Sequence, residues 1–185
     1  MELSFGSNRL NRLASRMKKG DRRAAAAVYD ELAPKVFGFC LNRVGLRHVA
    51  EDLTQGIFLK LLYNIETFDE RKGRFTVWFW RLARNTLIDH YREKKENLFS
   101  DAGDDVIEAA AVSEGNAAGL DDKMEVERIK KFVGTLDEDE SNLFELRYIA
   151  ELPYGEISEL LGKSEGALRV KVIRLKKKIH GQFSR

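Results

Sequence analysis

Apolar residues along this chain recur at intervals of three and four, and no stretch alternates with the period of two that a half-buried strand needs. The pattern predicts an all-α protein. A first helix is expected over 9–19, stopped by Gly20. Asp21 is placed to cap a second helix that runs to Gly45, with Pro34 inside it as an expected kink. Residues 46–63 form a third helix whose apolar stripe is Val49, Leu53, Ile57 and Leu61. A turn-like stretch over 67–74 breaks the periodicity before a long helix over 75–95.

Residues 97–122 change character. They are small and acidic, rich in Ala and Gly, and too poor in large apolar side chains to offset their ordering entropy, so a flexible tether is expected. Helices resume over 122–134. Asp137 then starts another, with Glu140 as its capping-box partner and Leu143, Phe144 and Leu146 on the apolar side. Two helices over 153–161 and 165–180 close the chain. There is no internal repeat, so the expected organisation is two different helical domains, 1–96 and 123–185, joined by an acidic linker over 97–122.

Composition narrows the class. Of 185 residues, 43% are hydrophobic, enough for two modest cores, and 34% are charged, which suits helices with wet outer faces. The single cysteine, Cys40, makes no internal disulfide and fits a reducing compartment. No apolar run reaches the roughly 18 residues that a bilayer span needs, and the first ten residues lack the plan of a secretory signal. A soluble, cytoplasmic protein is expected.

The net charge of +2 hides a segregation. Residues 1–96 carry 19 Lys and Arg against 12 acids, residues 97–122 carry seven acids and no Lys or Arg, and residues 163–185 carry eight basic residues against Glu165 alone. Two cationic regions separated by an acidic one suit two surfaces facing polyanions, although basic helix faces are often merely solvated.

The C-terminal pair of helices meets at Gly162, Lys163 and Ser164, a three-residue connection of helix-turn-helix type. Pro153 suits a helix start, Gly162 a left-handed helix end, and Ser164 with Glu165 the start of the last helix. Leu168, Val172, Leu175 and Ile179 make one buried stripe, which leaves Arg169, Lys171, Arg174, Lys176, Lys177 and Lys178 off it. Such a helix can enter a major groove, its first turns reading bases and its later lysines touching phosphates. The G-K-S tripeptide is not a phosphate loop, because six residues separate Gly155 from Gly162 where that motif needs four.

In the N-terminal half, A-E-D-L-T-Q-G-I-F-L-K-L over 50–61 puts Asp52 and Gln55 on one polar helix face, able to accept or share hydrogen bonds with a partner. An ordinary acidic helix start would look the same. The segment over 73–95 says more. Arg81, Asn85, Asp89 and Arg92 fall on one face, and Phe75, Trp78, Phe79 and Trp80 crowd its beginning. Rings beside cations suit single-stranded nucleic acid. Aromatic clusters usually serve as core, yet 78, 79 and 80 span most of a turn, so at least one ring is expected to face outward.

These segments together resemble the extracytoplasmic-function (ECF) group of bacterial sigma factors, the minimal two-domain members of that family. The 50–61 segment resembles the family's polymerase-binding helix. F-T-V-W-F-W-R-L-A-R-N-T-L-I-D-H-Y-R over 75–92 resembles its −10 element helix, and the stretch from Leu136 through L-P-Y-G-E-I-S-E-L-L-G-K-S-E-G-A-L-R-V-K-V to Ile179 resembles its −35 element domain. The resemblance implies a factor that binds core RNA polymerase and directs initiation at chosen promoters, without catalysis, cofactor or metal. It implies polymerase contacts at Asp52, Leu53, Gln55 and Phe58. It places −10 strand contacts at Arg74, Trp78, Arg81, Asn85, Asp89, Arg92 and Lys94, with the 68–74 loop bordering a pocket for a base flipped from the melted strand. It places −35 contacts at Ser164, Glu165, Arg169, Val170, Lys171, Arg174 and Lys177. Val170 stands where the family commonly has a small polar residue, so the −35 preference does not transfer directly. The family also implies an acidic tether along the RNA exit path and an antagonist (anti-sigma) partner. The chain free of polymerase is expected to be a monomer.

Two other classes stay open at this level. A self-standing helix-turn-helix regulator would leave the 50–61 helix and the aromatic cluster unexplained. An enzyme finds little support: His48, His90, His180 and Cys40 are scattered, with no metal-ligand or nucleophile–base spacing.

Overall fold

The computed structural model describes residues 3–100, 132 and 134–183, with the side chains of 3–7, 94–100 and 183 left aside. Every regular element among the described residues is helical, and the chain divides into two units, 1–112 and 113–185.

Among its described residues the first unit contains four α-helices. Helix α1 spans Leu3–Met17 and so starts earlier than the apolar periodicity suggests. Helix α2 spans Arg22–Val44. The Asp21 carboxylate accepts from the amides of Arg23 and Ala24 at 2.9 and 3.1 Å, and Gly45, at φ 70°, ends the helix in the left-handed region. Pro34 does not break α2. It is exposed, so water can serve the carbonyl its missing N–H leaves open, while Val28, Leu32, Val36 and Phe39 anchor both sides of it in the core. Helix α3, Arg47–Asn64, runs into one 3₁₀ turn at Ile65–Thr67.

Helix α4, Phe75–Ser100, exceeds its expected end at 95 and takes in the first four residues assigned to the tether. No glycine or proline interrupts 97–100, and the first glycine beyond is Gly103. The rest of the tether, 101–122, and nearly all of the helix expected over 122–134 lie outside the described residues. Helices α1, α2, α3 and α4 enclose a core in which Phe39, Phe75, Phe79 and Trp80 are fully buried, with Phe39 edge-on to Trp80 at 5.5 Å between centroids.

The described part of the second unit begins with buried Phe132 and helix α5, Glu138–Phe144. The expected capping box is present: the Glu140 amide donates to the Asp137 carboxylate at 2.7 Å, and the Asp137 amide donates back to Glu140 at 3.3 Å. One wide turn, Glu145–Ile149, continues it. Glu151 then adopts φ 58°, a left-handed bend that turns the chain into helix α6, Tyr154–Leu161. Pro153 stands just before the helix rather than in its first position. Helix α7 covers Glu165–Phe183. Leu143, Leu146, Ile157, Leu168 and Leu175 form the core, so the predicted stripe of α7 faces inward, with Val172 buried and Ile179 half-buried.

Candidate nucleic-acid and polymerase interfaces

Helix α3 carries the first candidate surface. Asp52 and Gln55 are exposed. Leu53 and Phe58, expected as contacts, are largely buried: Leu53 is 9% exposed and Phe58 7%, the latter packed on Tyr29 at 4.7 Å and Phe79 at 5.8 Å between centroids. Both belong to the α3 core face, whose stripe runs through Leu53, Ile57 and Leu61. The apolar residues that face outward are Leu59, Leu62 and Tyr63, exposed at 54%, 52% and 83%. Positions 52, 55, 59 and 62 follow helical spacing, so two polar groups continue into two leucines on one face. The signal was present in the sequence: once the core stripe is filled, Leu59 and Leu62 are surplus apolar residues.

The second surface is built on α4. Arg81, Asn85, Asp89 and Arg92 are all exposed and share a stripe. Asp89 pairs with Lys60 of α3 at 3.5 Å, which ties the two helices at their solvent edge. Of the four early rings, only Trp78 keeps part of its surface. Phe75, Phe79 and Trp80 are fully buried, while Trp78 leans on Phe68 and Phe75 at 5.7 and 5.8 Å. The outward ring required by the spacing is therefore Trp78, and the others support it. The side chain of Lys94 lies outside the described residues.

The loop over 68–74 sits beside this ring. Phe68 is buried and anchors the start of the loop. Asp69 accepts from the Arg71 amide at 3.1 Å and pairs with its guanidinium at 3.1 and 3.2 Å, which holds the carboxyl below its usual range. The Lys72 amide donates to the Asp69 carbonyl at 2.9 Å, closing a tight turn. Arg74 is exposed at the loop's end.

The third surface is the helix pair α6 and α7. Gly162, at φ 65°, ends α6 with its amide donating to the Ser158 carbonyl at 2.9 Å. Ser164 caps α7, accepting from the Ala167 amide at 3.3 Å. The Arg169 guanidinium lies 4.6 Å from the centroid of the Tyr154 ring and pairs with Glu165 at 3.1 Å. Arg147 reaches the same ring at 4.8 Å and donates to the Leu152 carbonyl at 2.9 Å. Glu165, Arg169, Val170, Arg174 and Lys177 are exposed together with the capping Ser164.

Lys171, expected among the −35 contacts, is already paired within the protein. Asp139, in the first turn of α5, accepts from Lys171 at 2.8 Å and also from Lys163. Its carboxyl is lowered from 3.8 to about 2, first by the Lys163 hydrogen bond and then by that of Lys171, and Lys171 is raised in return by Asp139. Glu140 takes Lys178 in the same way. Three of the basic residues at 163–178 are therefore already occupied by acids 24 to 38 residues away. On α7, Ile173 is 56% exposed and borders an open groove of about 790 Å³ with Tyr148, Ile179 and Lys176. Among the described residues, no group of three His, Cys, Asp or Glu is placed to hold a metal, and no helix is long and apolar enough to cross a membrane.

Comparison with known proteins follows this division. Residues 28–96 match the family model Sigma-70 region 2, and residues 127–179 match Sigma-70, region 4. The chain is 30% identical to the ECF RNA polymerase sigma factor SigW of Bacillus subtilis over 174 residues, covering 90% of this chain and 92% of SigW. It is 28% identical over 163 residues to BldN of Streptomyces coelicolor, also an ECF RNA polymerase sigma factor, covering 88% of this chain and 61% of BldN, so it spans under two thirds of that longer relative. Among solved structures, CnrH in complex with the cytosolic domain of CnrY superposes with a TM-score of 0.67 at 19% identity, covering 95% of this chain and 97% of that one. RpoE of Bartonella quintana, in complex with the anti-sigma factor NepR, gives 0.65 at 18%, covering 86% and 96%. With region 2 on the first unit, region 4 on the second, and SigW matched along nearly its whole length, the chain belongs to the ECF RNA polymerase sigma factors.

Proposed function

We propose that the three surfaces divide the work of promoter-specific initiation. The α3 face of Asp52, Gln55, Leu59 and Leu62 docks on core RNA polymerase. The α4 face of Arg81, Asn85, Asp89 and Arg92, with Trp78, Arg74 and the 68–74 loop, takes the melted −10 strand; Lys94, two residues after Arg92, is assigned there by the family resemblance alone. The exposed face of α7, with Ser164, Glu165, Arg169, Val170, Arg174 and Lys177, reads the −35 duplex. Lys171 joins it only when the duplex competes with Asp139.

The observation that carries this reading is the partly apolar α3 face. Two leucines and a tyrosine more than half exposed beside polar Asp52 and Gln55 suit a protein partner, not a polyanion. Neither nucleic-acid surface needs them. Each DNA contact is small on its own: one captured base contributes about 1–3 kcal/mol by stacking. Polymerase would hold the two units at a fixed spacing and so supply the preorganisation that a bare chain lacks. The role is one of binding, with no catalytic residue, cofactor or metal assigned, and it is exercised in the cytoplasm. An anti-sigma partner would act by covering one of the exposed apolar surfaces, α3 or the groove on α7.

Run-off transcription tests the proposal. Core polymerase with this chain should yield discrete start sites, and Asp52→Ala should lower polymerase affinity by roughly tenfold, the loss of one central contact, without changing the melting of the free chain. Tight duplex binding in the absence of polymerase, with no transcript in its presence, would favour a self-standing helix-turn-helix regulator instead.

A further inference from the structure

Helix α1 lies before the segment that matches region 2, and none of its residues belongs to the three surfaces. It is nevertheless bonded at three points, two in the 68–74 loop and one at the start of α4. The Phe75 amide, the first of α4, donates to Asn11 Oδ1 at 2.8 Å across 64 residues of sequence. Lys18 Nζ donates to the Phe68 carbonyl at 2.7 Å, and Ser15 Oγ donates to Glu70 Oε2 at 3.2 Å. Asn11, Ser15 and Lys18 are spaced four and three apart, one polar stripe along α1. Beside it, Leu10, Leu13, Ala14 and Met17 are buried and fix the helix to the core. The loop is thus pinned at its first carbonyl, near its middle and at the amide where α4 begins.

We infer that α1 is a positioning element for base capture, with Asn11 as its principal positioning residue: by capping α4 from outside the loop, it sets the spacing between Phe68 and Phe75. The inference rests on the reading of 68–74 as the loop that receives a flipped base. Phe68 and Phe75 are the two rings on which Trp78 leans, so a shift of either end moves the one partly exposed ring together with the loop. Asn11 itself is half-buried and acts through the Phe75 amide, an orphan donor that no residue of the loop satisfies. A lost cap of this kind lets the first turn of α4 fray, which changes the fit of a base more than it changes the hydrophobic core.

The test uses the full chain with core polymerase on a promoter located by run-off transcription and premelted at its −10 element, each non-template position carrying each of the four bases in turn. Arg71→Ala identifies the position the loop reads, as the one whose base preference it changes. Asn11→Leu should flatten the preference at that same position by roughly threefold to tenfold, the size of one lost helix cap, and leave other positions unchanged. Asn11→Asp keeps an acceptor, now charged and favoured at a helix start, and should restore the preference. Exchange of the Phe75 amide should quicken in Asn11→Leu and stay slow in Asn11→Asp, and Lys18→Met should weaken the same preference to a smaller degree. The inference is overturned if Asn11→Leu leaves every preference intact, or if it lowers binding equally for all bases. If Arg71→Ala shifts no position at all, the base-capture reading itself fails and the role of Asn11 falls with it.

Discussion

The two regions proposed to face DNA are held in place by different kinds of interaction. In the first unit, the loop before α4 is pinned by hydrogen bonds from α1 that span 50 to 64 residues, two of them ending on backbone groups of the buried Phe68 and Phe75. In the second, the turn between α6 and α7 is made by its immediate neighbours, Gly162 with Ser158 and Ala167 with Ser164. Its long-range ties are exposed ion pairs from Asp139 and Glu140 to Lys163, Lys171 and Lys178. The two part-buried hydrogen bonds, at Phe68 and Phe75, change little with salt, whereas exposed ion pairs weaken as salt rises. The proposed −10 surface is therefore a matter of shape, and the proposed −35 surface one of locally encoded shape with adjustable charge.

The sharpest way to break the contrast is at the core of the first unit. Trp80→Ala empties the centre of the aromatic cluster, so a loss of about 3–5 kcal/mol is expected by urea unfolding followed by far-UV circular dichroism. A smaller loss would mean that the cluster does not organise α4. Arg169→Ala tests the other side. If the guanidinium leaves Tyr154 and Glu165 to read a base edge, −35-dependent initiation weakens by about 1–3 kcal/mol, while a promoter that lacks a −35 element is unaffected. An unchanged promoter profile would make Arg169 a surface cation stacked on tyrosine.

Smaller effects refine the comparison. At Gly162 a methyl group would meet nothing within 4 Å, so Gly162→Ala should cost only the left-handed backbone, about 1 kcal/mol in a thermal melt. A much larger cost would show that the turn is not locally encoded. Asp139→Asn should act least on stability and most on charge. The Asp139 carboxyl is lower in the folded chain than its ordinary 3.8, so its pairs stabilise fully above that value and are lost as pH falls toward about 2. The wild-type second unit should lose stability across that window, and the variant should show a flatter profile there. With Lys163 and Lys171 released, duplex binding should strengthen at low salt, and its logarithmic salt slope should steepen by roughly one to two units. An unaltered slope would show that those lysines never reach phosphate.

Much of this was legible in the sequence because it depends on neighbours along the chain. The caps at Asp21, Gly45, Asp137 and Gly162, the inward stripe of α7 and the exposed faces of α4 and α7 follow from spacing alone, since helical geometry fixes which residues share a side. Where a surface residue competes with the core, spacing was less informative. Leu53 and Phe58 sit beside Asp52 and Gln55 in sequence yet turn into the bundle, because the core stripe of α3 claims them and leaves Leu59 and Leu62 outside.

The sequence by itself determined the all-helical class, the two-unit order and the basic faces, because hydrophobic period and capping chemistry act over a few residues. Only the tertiary structure decided which ring remains partly exposed, which lysines are already paired, and that α1 reaches the loop through Asn11. Those outcomes depend on which helix packs against which across 24 to 64 residues of chain, where linear spacing carries no distance information.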